Sequence, residues 1–334
     1  MGAPAEQRLS EPIVAIRDLV VDFEVSGRLV RVLHGVDLTV ERGRVLGVVG
    51  ESGCGKSVTW LGALGLLGER ARVQGEVRLA GRSLLGLGDR EMSAIRGRRI
   101  AMIFQDPSSS LNPVLSIGRQ LTEALRLHRG MGDTAAVAEA RRLLDRVGIA
   151  NTQQRLGEYP HQLSGGMNQR VMIAMALAAE IDVLVADEPT TALDATIQAQ
   201  ILDLLREVRR DTGMALVLIT HDLGVVAENA DRVAVMYCGR VIEEAAAADL
   251  FRSPAHPYTQ GLLAALPDVA GPRQRLRAIA GTVPEPRKLP PGCAFAPRCT
   301  QAIAACAVRP PALRDLPPSH RVACIRAGMG AAAE

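Results

Sequence analysis

The run Gly50-Glu51-Ser52-Gly53-Cys54-Gly55-Lys56-Ser57 matches G-x-x-x-x-G-K-[ST], and no other stretch narrows the choice of fold as far. Such a loop works between a buried strand and the first turn of a helix. There its backbone amides cradle phosphates and its lysine reaches the terminal ones. The neighbouring residues supply that context. Val45-Leu46-Gly47-Val48-Val49 is a continuous apolar run suited to a strand covered on both faces, and an apolar helical stretch follows Lys56. The chain holds 39 basic residues yet only two lysines, Lys56 and Lys288. Keeping lysine at 56 fits the need for a slim, flexible ammonium where a planar guanidinium would not enter a tightly wrapped loop. A nucleoside triphosphate is therefore expected at Gly50, Ser52, Gly53, Cys54, Gly55, Lys56, Ser57 and Val58.

With 334 residues there is room for one large α/β domain plus an appendage, or for two domains. Aromatic residues make up only 2% and the net charge is +3, so neither base-stacking surfaces nor a strong basic field points to a nucleic-acid partner. The cluster Arg96, Arg98 and Arg99 reads as a solvated face. Residues 1–11 lack the apolar core of a secretory signal, and the best apolar run, Val171 to Ala179, stops at Glu180, short of the ~18 residues that span a bilayer. A cytosolic chain is expected, with any membrane role reached through a partner. Six cysteines in a reducing compartment argue for metal or packing rather than disulfides.

Residues 12–49 read as short β segments, Ile13 to Ile16, Leu19 to Phe23, Val36 to Val40 and Val45 to Val49. Between Leu111 and Gln162 the spacing turns helical, with Leu121, Leu125, Leu143, Leu144 and Val147 on the apolar stripe. An α/β character returns at Val183 to Asp187 and Leu216 to Thr220. Thirteen of the nineteen prolines and four of the six cysteines then fall in an irregular tail. The expected fold is α/β: a P-loop NTPase core with a β-rich N-terminal subdomain, a helical insert at about 106–165, and a small cysteine-containing C-terminal extension. The domain boundaries are set at 11–248 and 249–334.

The strand Val183 to Ala186 ends in Asp187 and Glu188. A buried parallel strand delivers its last residues to the ligand edge, where one carboxylate can hold Mg²⁺ and the next can polarise water. Leu163-Ser164-Gly165-Gly166-Met167 supplies a helix N-cap and free amides, a second anion reader beside the phosphate loop. Two phosphate readers on one chain invite a dimer.

At this point the sequence resembles the ATP-binding-cassette (ABC) ATPases. The resemblance implies that Ser164, Gly165 and Gly166 read the γ-phosphate held by another subunit, and that Gln105 touches Mg²⁺, water and a transmembrane partner. It further implies that Ala192-Leu193-Asp194 crosses the dimer interface, that His221 contacts the γ-phosphate, and that Phe23, on a loop, stacks on adenine. The catalytic set is then Glu188, His221, Gln105 and Lys56, with Ser57, Gln105 and Asp187 around Mg²⁺. Gln105 to Pro113, Tyr159 to Met167 and His256-Pro257-Tyr258-Thr259 look like importer ATPases of the oligopeptide/dipeptide/nickel permease group, with Met167 suggesting the first of the two ATPase subunits. That resemblance implies a peripheral protein on the cytoplasmic face of the inner membrane. Its partners would be a second ATPase (paralogue or self), two permease subunits and, indirectly, a solute-binding protein. Nickel or another small solute is the alternative cargo. A non-transport ABC ATPase is the alternative role, disfavoured by a single signature and no heptads.

The tail spaces its cysteines as Cys293-x5-Cys299-x6-Cys306-x17-Cys324. Four thiolates suit a tetrahedral metal or a [4Fe–4S] cluster, and the lack of C-x2-C pairs favours iron–sulfur over zinc; four unligated packing cysteines are the alternative. The tail resembles the C-terminal extension of peptide-permease ATPases, some of which carry such a cluster.

Overall fold

The computed structural model describes residues 11–106, 110–191, 193–266, 278–317 and 319–327. Its elements, in chain order, begin with β1 (Val14–Val25), β2 (Arg28–Val40), β3 (Val45–Val49), α1 (Lys56–Ala63), β4 (Ala71–Leu79), β5 (Arg82–Ser83), α2 (Asp89–Ser93) and β6 (Ile100–Ile103). There follow α3 (Ile117–Arg129), α4 (Asp133–Arg146), α5 (Thr152–Arg155), α6 (Gly165–Ala176), β7 (Val183–Asp187), α7 (Ala195–Thr212), β8 (Ala215–Thr220) and α8 (Leu223–Asn229). The chain ends through β9 (Arg232–Tyr237), β10 (Arg240–Ala246), α9 (Ala247–Arg252), α10 (Pro257–Ala264), β11 (Arg314–Leu316) and β12 (His320–Val322). These form two compact units. One is Met1–Ile13, Val40–Arg44 and Leu87–Ile219; the other is Val14–Thr39, Val45–Gly86 and Thr220–Glu334. No helix among the described residues is long and apolar enough to cross a membrane.

The unit that carries the phosphate loop holds a four-stranded sheet of order β2-β1-β4-β5. β1 runs antiparallel to β4 from Val14 opposite Leu79 to Phe23 opposite Ala71, with a register shift between Arg17 and Val20. There Asp18 takes φ 45°, and Gly75 lies so close that a Cβ would meet the Asp18 carbonyl oxygen at 2.4 Å. The apolar pattern therefore breaks into two short runs although the chain makes one bent strand.

In the same unit β3 is parallel to β9. β9, β10, β12 and β11 then continue antiparallel, so the C-terminal tail adds two strands beyond β10. A single buried cluster joins Val49, Val235, Tyr237, Tyr258, Phe295 and Ala323, so tail and phosphate-loop strand share a core. Two carboxylates of β10 anchor it. Glu243, wholly buried, accepts from the His256 amide at 3.0 Å and faces His320 Nε2 at 2.7 Å, while Glu244 pairs with Arg232 at 3.1 Å and Arg321 at 3.2 Å.

His256 caps α10, its Nδ1 accepting from the Tyr258 amide at 3.0 Å, and it is 2% exposed. Burial pulls its pKa down to about 4. The unfolded chain takes up this proton near pH 6.5 while the folded one does not, so this part of the stability is intact above that pH. It is lost as pH falls toward about 4. Urea titrations between pH 7 and pH 4 are expected to show His256→Asn, which keeps a capping oxygen, with a shallower acid-side loss than wild type. Equal slopes would remove His256 from the account.

In the other unit β6, β7 and β8 form a parallel set, Ile100 opposite Val183 and Val183 opposite Ala215. β7 is buried along its whole length, as its unbroken apolar run requires. The helical insert is built on α3 and α4. Ser116 caps α3 by accepting from the Arg119 amide, Gly130 ends it in the left-handed region, and Leu121, Leu125, Leu143 and Leu144 are fully buried. Val147, just past α4, is buried with them, as the helical spacing anticipates.

Candidate functional site

Each unit presents part of the expected chemistry at the ends of its strands. In the phosphate-loop unit, β3 runs into Gly50 and the loop closes at Gly55, which precedes α1 with φ 105°. Two glycines are obligatory there. A Cβ at Gly50 would meet the Met236 carbonyl oxygen at 2.3 Å, and one at Gly55 the Leu33 Cδ2 at 2.6 Å. Lys56 is 6% exposed, and its Nζ donates to the carbonyls of Gly50 at 2.8 Å and Glu51 at 3.2 Å. Cys54 lies 3.8 Å from that ammonium, and burial pushes its thiol up while Lys56 works in the opposite direction. Cys54 thus packs the loop as a neutral thiol. Ser52 and Gly53 are exposed, and Ser57 and Val58 are half-buried on the first turn of α1.

His221 is exposed directly after β8, and Asp222 behind it caps α8 by accepting from the amides of Gly224 at 2.8 Å and Val225 at 3.2 Å. Phe23, read both as the end of the β segment Leu19 to Phe23 and as a loop residue, lies within β1 opposite Ala71 and is half-buried.

In the other unit the carboxylate pair stands at the end of β7. Asp187 is 6% exposed. Glu188 takes φ 48°, a strained value for a residue with a side chain, and its amide donates to the Ile219 carbonyl at 2.8 Å. Its Oε2 accepts from Gln105 Nε2 at 3.0 Å and from Thr191 Oγ1 at 2.8 Å. Gln105 is therefore placed on the carboxylate expected to handle water. Thr191 is a functional neighbour that the sequence reading missed; the one available signal was a hydroxyl three positions after a strand-end carboxylate.

Ser164 caps α6, its Oγ accepting from the Met167 amide at 3.3 Å, and Ser164 and Gly165 are exposed. Gly166 has a packing reason as well, since a Cβ there would meet Ile197 Cγ2 on α7 at 2.8 Å. Asp194 caps α7 by accepting from the amides of Thr196 at 3.1 Å and Ile197 at 3.0 Å. Ala192, expected to cross an interface with it, lies outside the described residues, as do residues 107–109 after Gln105.

Ser57, Gln105 and Asp187 offer a hydroxyl, an amide and a carboxylate oxygen, the hard donors that Mg²⁺ accepts. In the tail, Cys293, Cys299, Cys306 and Cys324 are all free thiols and line one small cavity of about 20 Å³ with Phe295 and His256. Burial raises the Cys293 and Cys299 thiols. Among the described residues no group of three or more His, Cys, Asp or Glu is arranged to hold a metal ion, so the expected iron–sulfur centre gains no support from the geometry.

A family model described as ABC transporter matches residues 33–191, and one described as oligopeptide/dipeptide transporter, C-terminal region, matches residues 242–306. The chain is 50% identical over 317 residues to the "Probable peptide ABC transporter ATP-binding protein y4tR" of Sinorhizobium fredii, covering 94% of this chain and 95% of that protein. It is 48% identical over 294 residues to the oligopeptide transport ATP-binding protein AppD of Bacillus subtilis, covering 87% and 90% of the two. Among solved structures, the dimeric post-hydrolysis state of the ATP-binding cassette MJ0796 bound to ADP and Pi matches with a TM-score of 0.62 and 28% identity. The match covers 70% of this chain and 98% of that one. With strand, phosphate loop, strand-end carboxylates and capped signature helix all in place, the chain belongs to the ABC transporter family as one of its ATP-hydrolysing subunits.

Proposed function

We propose that this ATPase drives the import of peptides through membrane permease partners. The observation that carries the reading is identity of about half over 94% of the chain with a protein named for peptide transport, joined to the oligopeptide/dipeptide-type C-terminal region. Lys56 and the amides of Gly53 to Ser57, with Val58 behind them, take the β- and γ-phosphates, and Phe23 takes the adenine. Ser57, Gln105 and Asp187 are the residues that would hold Mg²⁺, whose charge neutralises the phosphate oxygens. Glu188 accepts a hydrogen bond from the attacking water and His221 donates to the γ-phosphate. The water oxygen bonds to the γ-phosphorus as the bond to the β-bridging oxygen breaks, giving ADP and phosphate. Placement and charge complementarity supply most of the rate.

Ser164, Gly165 and Gly166 serve the nucleotide of a second cassette, identical or paralogous, and Asp194 fixes α7 beside them. Permeases place the subunit peripherally on the cytoplasmic face of the inner membrane, and a solute-binding protein delivers the peptide. Purification from membranes is expected to recover two multispanning proteins, with ATP turnover stimulated by peptide-loaded binding protein. Turnover indifferent to peptide in that assembly would overturn the cargo assignment.

The spacing Cys293-x5-Cys299-x6-Cys306-x17-Cys324 in the sequence is what supports a [4Fe–4S] cluster in the tail. Protein purified without oxygen is then expected to be brown with bound iron. Folded, colourless, iron-free protein would reject the cluster and leave the ATPase reading intact.

A further inference from the structure

Glu51, inside the phosphate loop, is gripped from the C-terminal tail. Arg298 Nη1 donates to its Oε2 at 2.7 Å and Nη2 to its Oε1 at 3.0 Å, a bidentate pair in which the arginine side chain is only 4% exposed. The remaining N–H groups of that guanidinium are engaged too. Nε donates to Ala280 O at 2.9 Å, Nη1 to Tyr237 Oη at 3.3 Å and Nη2 to Ile279 O at 3.5 Å. The fork lies against the Tyr237 and Phe295 rings, at 5.9 Å and 6.0 Å. A second tail residue holds the Glu51 backbone, whose amide donates to Tyr258 Oη at 2.9 Å. The carbonyl of that same residue carries Lys56 Nζ at 3.2 Å. An unbroken chain of contacts thus runs from the tail through Glu51 to the ammonium that meets phosphate.

We propose that Arg298 is a positioning residue of the phosphate loop, fixing Glu51 so that Lys56 and the loop amides stand where a triphosphate needs them. The proposal rests on the reading that Gly50 to Val58 holds ATP. It makes the tail part of the nucleotide site without touching the nucleotide. Five directed donors on one planar group are what arginine supplies and lysine does not, so charge alone will not replace it.

The test uses the full chain. Arg298→Gln is expected to weaken ATP binding about tenfold, the scale of one charge-assisted hydrogen bond, with KM rising more than kcat falls. Arg298→Lys is expected to recover little of it. Glu51→Gln is expected to match Arg298→Gln, and the double variant to be no worse than either single one. Arg314→Gln serves as the structural control: Arg314 bonds the carbonyls of Cys324 at 2.9 Å and Ile325 at 3.4 Å within the same tail, and its loss is expected to leave KM unchanged. A readout without nucleotide is the alkylation rate of Cys54, expected to rise several-fold in Arg298→Gln and not in Arg314→Gln. Wild-type ATP affinity and Cys54 reactivity in Arg298→Gln, or equal changes in both arginine variants, would overturn the proposal. Absent ATP binding in wild type would count against the nucleotide reading, and the alkylation comparison would still decide the role of Arg298.

Discussion

Glu188→Gln is expected to lower ATP turnover by roughly 10³-fold while ATP binding changes by less than about twofold. The backbone at Glu188 is held at φ 48°, and its carboxylate is oriented by hydrogen bonds from Gln105 at 3.0 Å and Thr191 at 2.8 Å. The strain of about 1–3 kcal/mol at such a residue persists because the surrounding contacts over-determine it. Glutamine keeps the size and loses the charge that polarises water, while its amide oxygen can still accept from Gln105 and Thr191, which donate to a single oxygen of Glu188. Steady-state hydrolysis alongside equilibrium nucleotide binding separates the two effects. Turnover within a few-fold of wild type would reassign the carboxylate.

Lys56→Ala is expected to weaken ATP binding by roughly a hundredfold and to remove measurable turnover at cellular ATP levels. The ammonium is buried within its own loop, on the carbonyls of Gly50 and Glu51, so its loss takes away the loop's one cation and leaves two carbonyls short of a donor. Such unsatisfied groups cost about 1–3 kcal/mol each, so a lowered melting temperature should accompany the lost binding. Lys56→Arg should not restore affinity, because the planar fork is wider than the turn that encloses the ammonium. ATP affinity preserved in Lys56→Ala would remove this loop from the nucleotide site.

The elements whose burial is total were the most legible. β3 and β7 are covered on both faces, so each appears in the sequence as five consecutive apolar or strand-end residues. The helical insert was legible because Leu121, Leu125, Leu143 and Leu144 recur on the apolar stripes of its helices and are all buried. The kink in β1 was not, since nothing in Asp18 as a residue type announces φ 45°. Contacts made across long stretches of chain were equally hidden. Gln105 reaches Glu188 from 83 positions away and Arg298 reaches Glu51 from 247, and no local periodicity encodes either pairing. Composition marked the proline-rich tail but not that Phe295 and Ala323 complete the core beneath β3. Gly166 carried two meanings at once. Its lack of a side chain suited approach to a phosphate in the sequence reading, and the structure adds that the Ile197 methyl would have to shift to admit a Cβ.

Nucleotide is expected to be closed between two cassettes, each lending its Ser164 turn to the other's phosphate loop. Sedimentation of the Glu188→Gln chain with its cognate ATPase partner, with and without Mg·ATP, tests this most directly. The prediction is a two-cassette species that forms only with ATP and is lost when Ser164 is replaced by Arg. Strictly monomeric behaviour with ATP bound and the partner present would contradict it.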